Sequence, residues 1–194
     1  MSLEKDYLKD LFIDEVKGCL EGDGSLPKVT SKDDGKILKV VNGAWQLVDP
    51  VSTPYLSFLG NENFILSTDN NSKNWDGTLE YSTDTKTWSE WDGTEISSAG
   101  SKLYLRGTGN TRITGDSPRC SFNFTGTDYH LMVTCEGNIE NLLDYETVSA
   151  GGHPTMAEYC YAFIFNGCTA LTTAPELPAT TLTNSCYNNM FKNC

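Results

Sequence analysis

Residues 159–168 read Tyr-Cys-Tyr-Ala-Phe-Ile-Phe-Asn-Gly-Cys, and residues 185–194 read Ser-Cys-Tyr-Asn-Asn-Met-Phe-Lys-Asn-Cys. Superposing Cys160 on Cys186 also superposes Tyr161 on Tyr187, Phe165 on Phe191 and Cys168 on Cys194, a period of 26 residues. A fixed period of this size predicts a solenoid, in which each unit covers the apolar face of the next. The predicted repeat core is Cys160, Phe165, Cys168, Cys186, Phe191 and Cys194, with Leu171, Leu177, Leu182 and Met190 filling the coil. SCYNNMFKNC is expected to form one helical turn. The second unit closes at Cys194, so its far face is expected to be covered by further chain or by a partner, because solenoids need caps.

The rest of the chain divides by pattern. In residues 3–20, Leu8, Phe12, Val16 and Leu20 recur at i+4, which predicts an amphipathic helix (domain 1–22). A single helix of that length is not stable alone in water. Its stripe is buried either on the chain's own body or against copies of itself, with Leu8, Phe12 and Val16 as the seam. Residues 23–50 predict a hairpin connector, with strands at 37–41 and 44–48 around Asn42-Gly43. Residues 51–137 contain short strand candidates at 55–59, 62–67, 78–82, 87–91, 102–106, 111–114, 120–124 and 129–135, separated by turn residues. This predicts a β-sandwich, immunoglobulin-like or jelly-roll. In residues 138–194, Ile139, Leu142 and Leu143 predict a short helical cap before the first repeats. The expected fold class is mainly β: a sandwich, then the start of a solenoid, with a short N-terminal helix.

The formal charge is −12, from 14 Lys plus Arg and 26 Asp plus Glu. This argues against nucleic acid as a partner, which needs clustered positive charge. No apolar run of about 18 residues predicts a membrane span. Residues 1–22 are acidic and amphipathic and do not read as a secretory signal. Seven cysteines, an odd number, argue against a fully paired disulfide framework. A ladder of free thiols (Cys160 over Cys186, Cys168 over Cys194) is preferred over disulfides, and a bridge between Cys120 and Cys135 across the sandwich is the lesser alternative to free thiols there.

Trp75, Trp88 and Trp91 are the candidate ligand-binding residues. Exposed, they would form a stacking platform for a sugar; buried, they are core. Alternation puts Trp88 and Trp91 on opposite faces of a strand. Tyr81 to Trp88 resembles the Asp-box hairpin of sialidase-like propellers, one residue short and with Lys86 in place of Gly; otherwise it is an ordinary hairpin. Asp69, Asn70, Asn71 and Asp76 form an oxygen-rich stretch without EF-hand spacing, read as a solvated loop. His130 and His153 are the only histidines, and neither lies in a nucleophile or metal motif. No catalytic residue, metal or cofactor is expected.

The pattern Tyr161, Phe165, Asn166, Gly167, Cys168, Leu171 and Pro178 resembles the BspA-like leucine-rich repeats of bacterial surface proteins. Leu26, Pro27, Asp34, Gly35, Lys36, Val40, Val41, Gly43 and Trp45 resemble a short module of phage and prophage tail-fibre proteins. These resemblances imply a non-enzymatic tail-fibre or receptor-binding protein of the virion tail. It would be a homotrimer attaching to a glycan or protein on a bacterial surface. The alternative is an extracellular adhesin or carbohydrate-binding leucine-rich-repeat protein on a bacterial cell.

Overall fold

The computed structural model describes residues 37–41, 44–48, 53–117, 119–127 and 129–194. The expected helix at 3–20, with Leu8, Phe12 and Val16, lies outside the described residues. The backbone divides into two units, 1–51 and 52–194, each described by itself. In the first, β1 (Ile37–Val41) and β2 (Ala44–Val48) pair antiparallel, from Ile37 opposite Val48 to Val41 opposite Ala44. That register leaves two positions between the strands, which suits Asn-Gly.

The second unit is mainly β. Its strands are β3 (Leu56–Gly60), β4 (Phe64–Thr68), β5 (Thr78–Ser82), β6 (Ser89–Trp91), β7 (Ile96–Ser97), β8 (Lys102–Thr108), β9 (Phe122–Gly126), β10 (Val133–Glu136) and β11 (Leu171–Thr173), with one helix, α1 (Asn141–Ser149), before β11. One sheet has the order β11-β10-β3-β8-β5-β6 and the other β7-β4-β9. All pairings are antiparallel except β10 with β11. Period-2 alternation selects the inner face: Leu103 and Leu105 of β8 are fully buried while Tyr104 and Arg106 are half-buried. The sheets meet through aromatic rings, with Phe58 of β3 at 5.2 Å from Phe124 of β9.

The strand expected at 111–114 does not form. The N–H groups of Ile113 and Thr114 donate instead to Cys160 O, at 2.8 and 3.1 Å. Those donors are claimed by the repeat, so no neighbouring strand receives them. Strand β7 carried no sequence signal, being only two residues long.

The repeat units are not helical. Positive φ recurs every fourth residue, at Tyr159, Phe163 and Gly167 and again at Ser185, Asn189 and Asn193. An α-helix cannot pass through such residues. The N–H groups of Ala162, Ile164, Asn166 and Cys168 close tight turns onto the carbonyls three residues back. The intervening N–H groups, of Tyr159, Tyr161, Phe163, Phe165 and Gly167, donate to the carbonyls of Asn184, Cys186, Asn188, Met190 and Lys192 at 2.8–3.1 Å. The equivalent N–H groups of Ser185, Tyr187, Asn189, Phe191 and Asn193 meet no acceptor among the described residues. Tyr161 stacks on Tyr187 at 5.7 Å and 7°, and Phe165 on Phe191 at 5.6 Å and 3°.

The sheets themselves cover the other side of the first unit. Phe122 N donates to Ile164 O at 2.7 Å, and the Cys168 thiol donates to Phe122 O at 2.7 Å. The Cys194 thiol repeats that bond one layer on, to Phe165 O at 2.9 Å. Strand β9 thus takes, against the first unit, the place that the first unit takes against the second. An aromatic column results: Trp75, Trp91, Phe122, Phe165 and Phe191, with successive ring centroids 5.1, 5.3, 5.9 and 5.6 Å apart. Sheets and repeat therefore share one core.

Leu177 and Leu182, expected inside the coil, are 42% and 58% exposed. Main-chain bonds tie 170–176 to the sheet edge, Val133 N to Ala170 O and Ile139 N to Glu176 O, whereas Leu177 and Leu182 lie beyond that edge. Leu171 is half-buried and Met190 is buried.

Candidate binding surface

The three tryptophans do not share one face. Trp75 is 3% and Trp91 1% exposed, stacked on each other at 5.1 Å, and Trp91 Nε1 donates to Thr94 O at 2.7 Å. Only Trp88 reaches the surface. Trp88 lies one residue before β6, whose Ser89 and Glu90 are both exposed, so the split between Trp88 and Trp91 does not come from alternation along that strand.

Around Trp88 the structure assembles residues that the sequence did not single out. Glu80 of β5 and Arg106 of β8 are cross-strand partners, and Arg106 Nε donates to Glu80 Oε2 at 2.8 Å. The Arg106 guanidinium lies 4.1 Å from the Trp88 ring centroid and 4.4 Å from that of Tyr145 on α1. Tyr55 is 6.0 Å from Trp88 and 5.1 Å from Tyr104. A half-buried cation between two aromatic faces stiffens both rings. The result is a preorganised aromatic surface suited to stacking against a flat, partly apolar ligand. Tyr104 and Arg106 were legible as one face of β8 by period 2; Tyr55 and Tyr145, each distant in sequence, carried no signal.

The turn between β5 and β6 is organised by Asp84. Its Oδ1 accepts from Thr87 N at 2.8 Å, Lys86 N at 2.9 Å and the Ser82 hydroxyl at 3.0 Å. Thr85 takes the positive φ of 63° beside Lys86. The bonds from Thr87 and Lys86 lead in lowering the Asp84 pKa to about 2. An unfolded Asp titrates near ~3.9, so the folded chain binds this proton less readily than the unfolded one. The stabilisation is complete above that unfolded value and is lost as pH falls through about 2. Asp84→Ala is expected to lower the Tm at neutral pH and to remove part of the stability loss between about pH 4 and pH 2, read by circular dichroism. Superimposable acid profiles for the two proteins would refute this role.

The oxygen-rich stretch is committed to loop anchoring. Asp76 accepts from Thr111 N at 2.9 Å, Thr111 Oγ1 at 2.6 Å and Arg112 N at 3.1 Å. Burial raises its pKa, but the bonds from Thr111 and Arg112 outweigh burial and leave it lowered. Asp69 Oδ1 accepts from Ser121 N, and Asn70 Oδ1 from the Thr68 hydroxyl. Among the described residues no group of three or more His, Cys, Asp or Glu is placed to hold a metal ion.

The six described cysteines are free thiols, five of them buried and Cys194 exposed; Cys19 lies outside the described residues. Burial pushes Cys120, Cys160 and Cys168 up to about 12, so these thiols stay protonated at neutral pH and serve as packing groups. His130 is exposed. His153 Nδ1 lies 2.8 Å from Glu140 Oε2. No described helix is long and apolar enough to cross a membrane.

Comparison of the chain with protein-family models, with curated proteins and with solved structures returns no match.

Proposed function

We propose that this chain is a non-enzymatic tail-fibre or receptor-binding structural protein of a phage or prophage, attaching to a bacterial surface. In this reading 51–137 is a β-sandwich and 138–194 the cap and first repeats of a fused leucine-rich-repeat solenoid of BspA-like type. The observation that carries it is the in-register stacking of the two repeat units, at Tyr161 on Tyr187 and Phe165 on Phe191. Stacked repeats build extended surfaces for recognition. A homotrimer held through residues 3–20 would present several weak sites at once and raise avidity without a strong single site. Light scattering on the full chain, then on a version lacking residues 1–22, tests this. A trimer that falls to a monomer is the expected result; a full-length monomer overturns the fibre mechanism.

A second reading, a monomeric cell-surface adhesin or carbohydrate-binding protein, is favoured by the half-exposed surface of Trp88, Arg106 and Tyr145. In that case Trp88→Ala abolishes glycan binding while the protein remains folded.

A further inference from the structure

We propose that the open edge of the second repeat unit, residues 185–193, is a docking surface for a partner polypeptide that presents main-chain carbonyls at alternate residues and aromatic rings four residues apart. This goes beyond the attachment reading and does not depend on it. The N–H groups of Ser185, Tyr187, Asn189, Phe191 and Asn193 meet no acceptor among the described residues. Their equivalents in the first unit, from Tyr159 to Gly167, all donate to alternate carbonyls of the second. The covered unit buries its rings and the open one does not: Tyr161 and Phe165 are fully buried, whereas Tyr187 and Phe191 are half-buried. Tyr187 stacks on Tyr161 and Phe191 on Phe165, and no described ring stacks on the other side of either.

The polarity of this edge selects its occupant. The carbonyls of Asn184, Cys186, Asn188, Met190 and Lys192 are taken by the first unit, and those of Ser185, Tyr187, Asn189 and Phe191 close the second unit's own turns. The open edge therefore offers donors only. A second copy presenting the same edge would set N–H against N–H, and covered donors without acceptors are strongly unfavourable. A regular strand edge presents N–H and C=O groups together, so only part of it would match the row. What fits is a segment with the backbone of 184–194, whose alternate carbonyls all face one way. That backbone takes positive φ at Ser185, Asn189 and Asn193, so the partner favours Gly or Asn at every fourth position. Rings at the positions of Tyr187 and Phe191 would extend both stacks, as these rings extend those of the first unit. Glu176 is the only acidic residue in 159–194, and Lys192 is exposed, so no carboxylate of the second unit competes for the donors.

The test uses the full chain labelled with ¹⁵N. The probe is a peptide of residues 184–194 with Cys186→Ser and Cys194→Ser, capped at both ends. A second peptide adds Tyr187→Ser and Phe191→Ser, and sodium acetate is titrated separately. The probe is expected to shift the amide signals of Tyr187, Asn189 and Phe191 saturably and to slow their exchange with solvent. Loss of both rings from the peptide is expected to weaken binding at least about fivefold, because each aromatic pair adds to affinity beyond its buried area. Phe191→Ala in the protein is expected to weaken it roughly two- to tenfold, and the peptide pair decides the matter should that variant fail to fold. Unmoved amides, equal binding of the two peptides, or saturation of the same amides by acetate in place of the probe overturns the proposal. Shifts of these amides that grow with protein concentration alone would show two copies meeting through this edge, and would overturn it too. A failed titration leaves the attachment reading standing, because that reading is judged by solution mass.

Discussion

Gly107→Ala is expected to lower the stability of the 52–194 unit by about 3 kcal/mol, near the upper end for overpacked sites, and the Tm by about 6–12 °C. Gly107 lies on β8 opposite Leu79 of β5. A Cβ there would collide with the Leu142 carbonyl oxygen and lie 2.5 Å from its carbon and 2.8 Å from Asn110 Nδ2. None of these groups can yield cheaply. Leu142 O accepts from Asn110 Nδ2 at 3.0 Å, the same nitrogen donates to Thr78 O at 2.7 Å, and Asn110 Oδ1 accepts from Gly77 N at 2.6 Å. The missing side chain is thus what lets α1 approach β8. Gly109→Ala is the control: its φ is +63°, but a Cβ there meets nothing within 4 Å. It carries only the left-handed backbone strain, about 1–2 kcal/mol. Urea denaturation of both variants decides the point. Equal losses would mean that backbone strain, and not contact with α1, governs both positions.

Phe165→Ala is expected to cost about 3–5 kcal/mol, the range for a buried Phe truncated in a core. Phe165 is fully buried and touches three rings: Phe58 at 6.4 Å, Phe122 at 5.9 Å and Phe191 at 5.6 Å. Two of these belong to the sheets and one to the second repeat unit. Phe191→Ala removes a half-buried ring with one aromatic neighbour in the column and is expected to cost roughly 1–2 kcal/mol, a fraction of burying a whole Phe. Because one core spans sheets and repeat, Phe165→Ala should still unfold in a single transition, with near-ultraviolet and far-ultraviolet circular dichroism coincident. Two separated transitions, the repeat melting first, would show that sheets and repeat fold independently.

The candidate surface at Trp88 and the Glu140–His153 contact differ in how far they could be foreseen. Trp88 was visible as a candidate because three tryptophans lie in one stretch of the chain, but which of them was buried depended on Trp75 and Trp91 stacking and on Phe122 arriving from elsewhere. Glu140 and His153 are 13 residues apart and match no spacing rule. They meet because α1 ends at Ser149 and the chain turns back through Gly151, whose φ is +81°.

Local pattern determined the elements. Alternation in Leu103 and Leu105 marks β8, Asn42-Gly43 separates β1 from β2, and the 26-residue period sets residues 159–168 over 185–194. Each is an effect of near neighbours or of identical units meeting, and so is written in the order of residues. Tertiary structure decided the rest. It took residues 111–114 out of the sheets by giving the N–H groups of Ile113 and Thr114 to Cys160 O, and it set Phe122 against the first repeat unit as that unit sits against the second. It turned SCYNNMFKNC from the expected helix into stacked turns, because carbonyls at every second residue are claimed by the unit before it. Backbone donors must be satisfied wherever they are buried. Which acceptor satisfies them is settled by segments distant in sequence, and no window along the chain contains that choice.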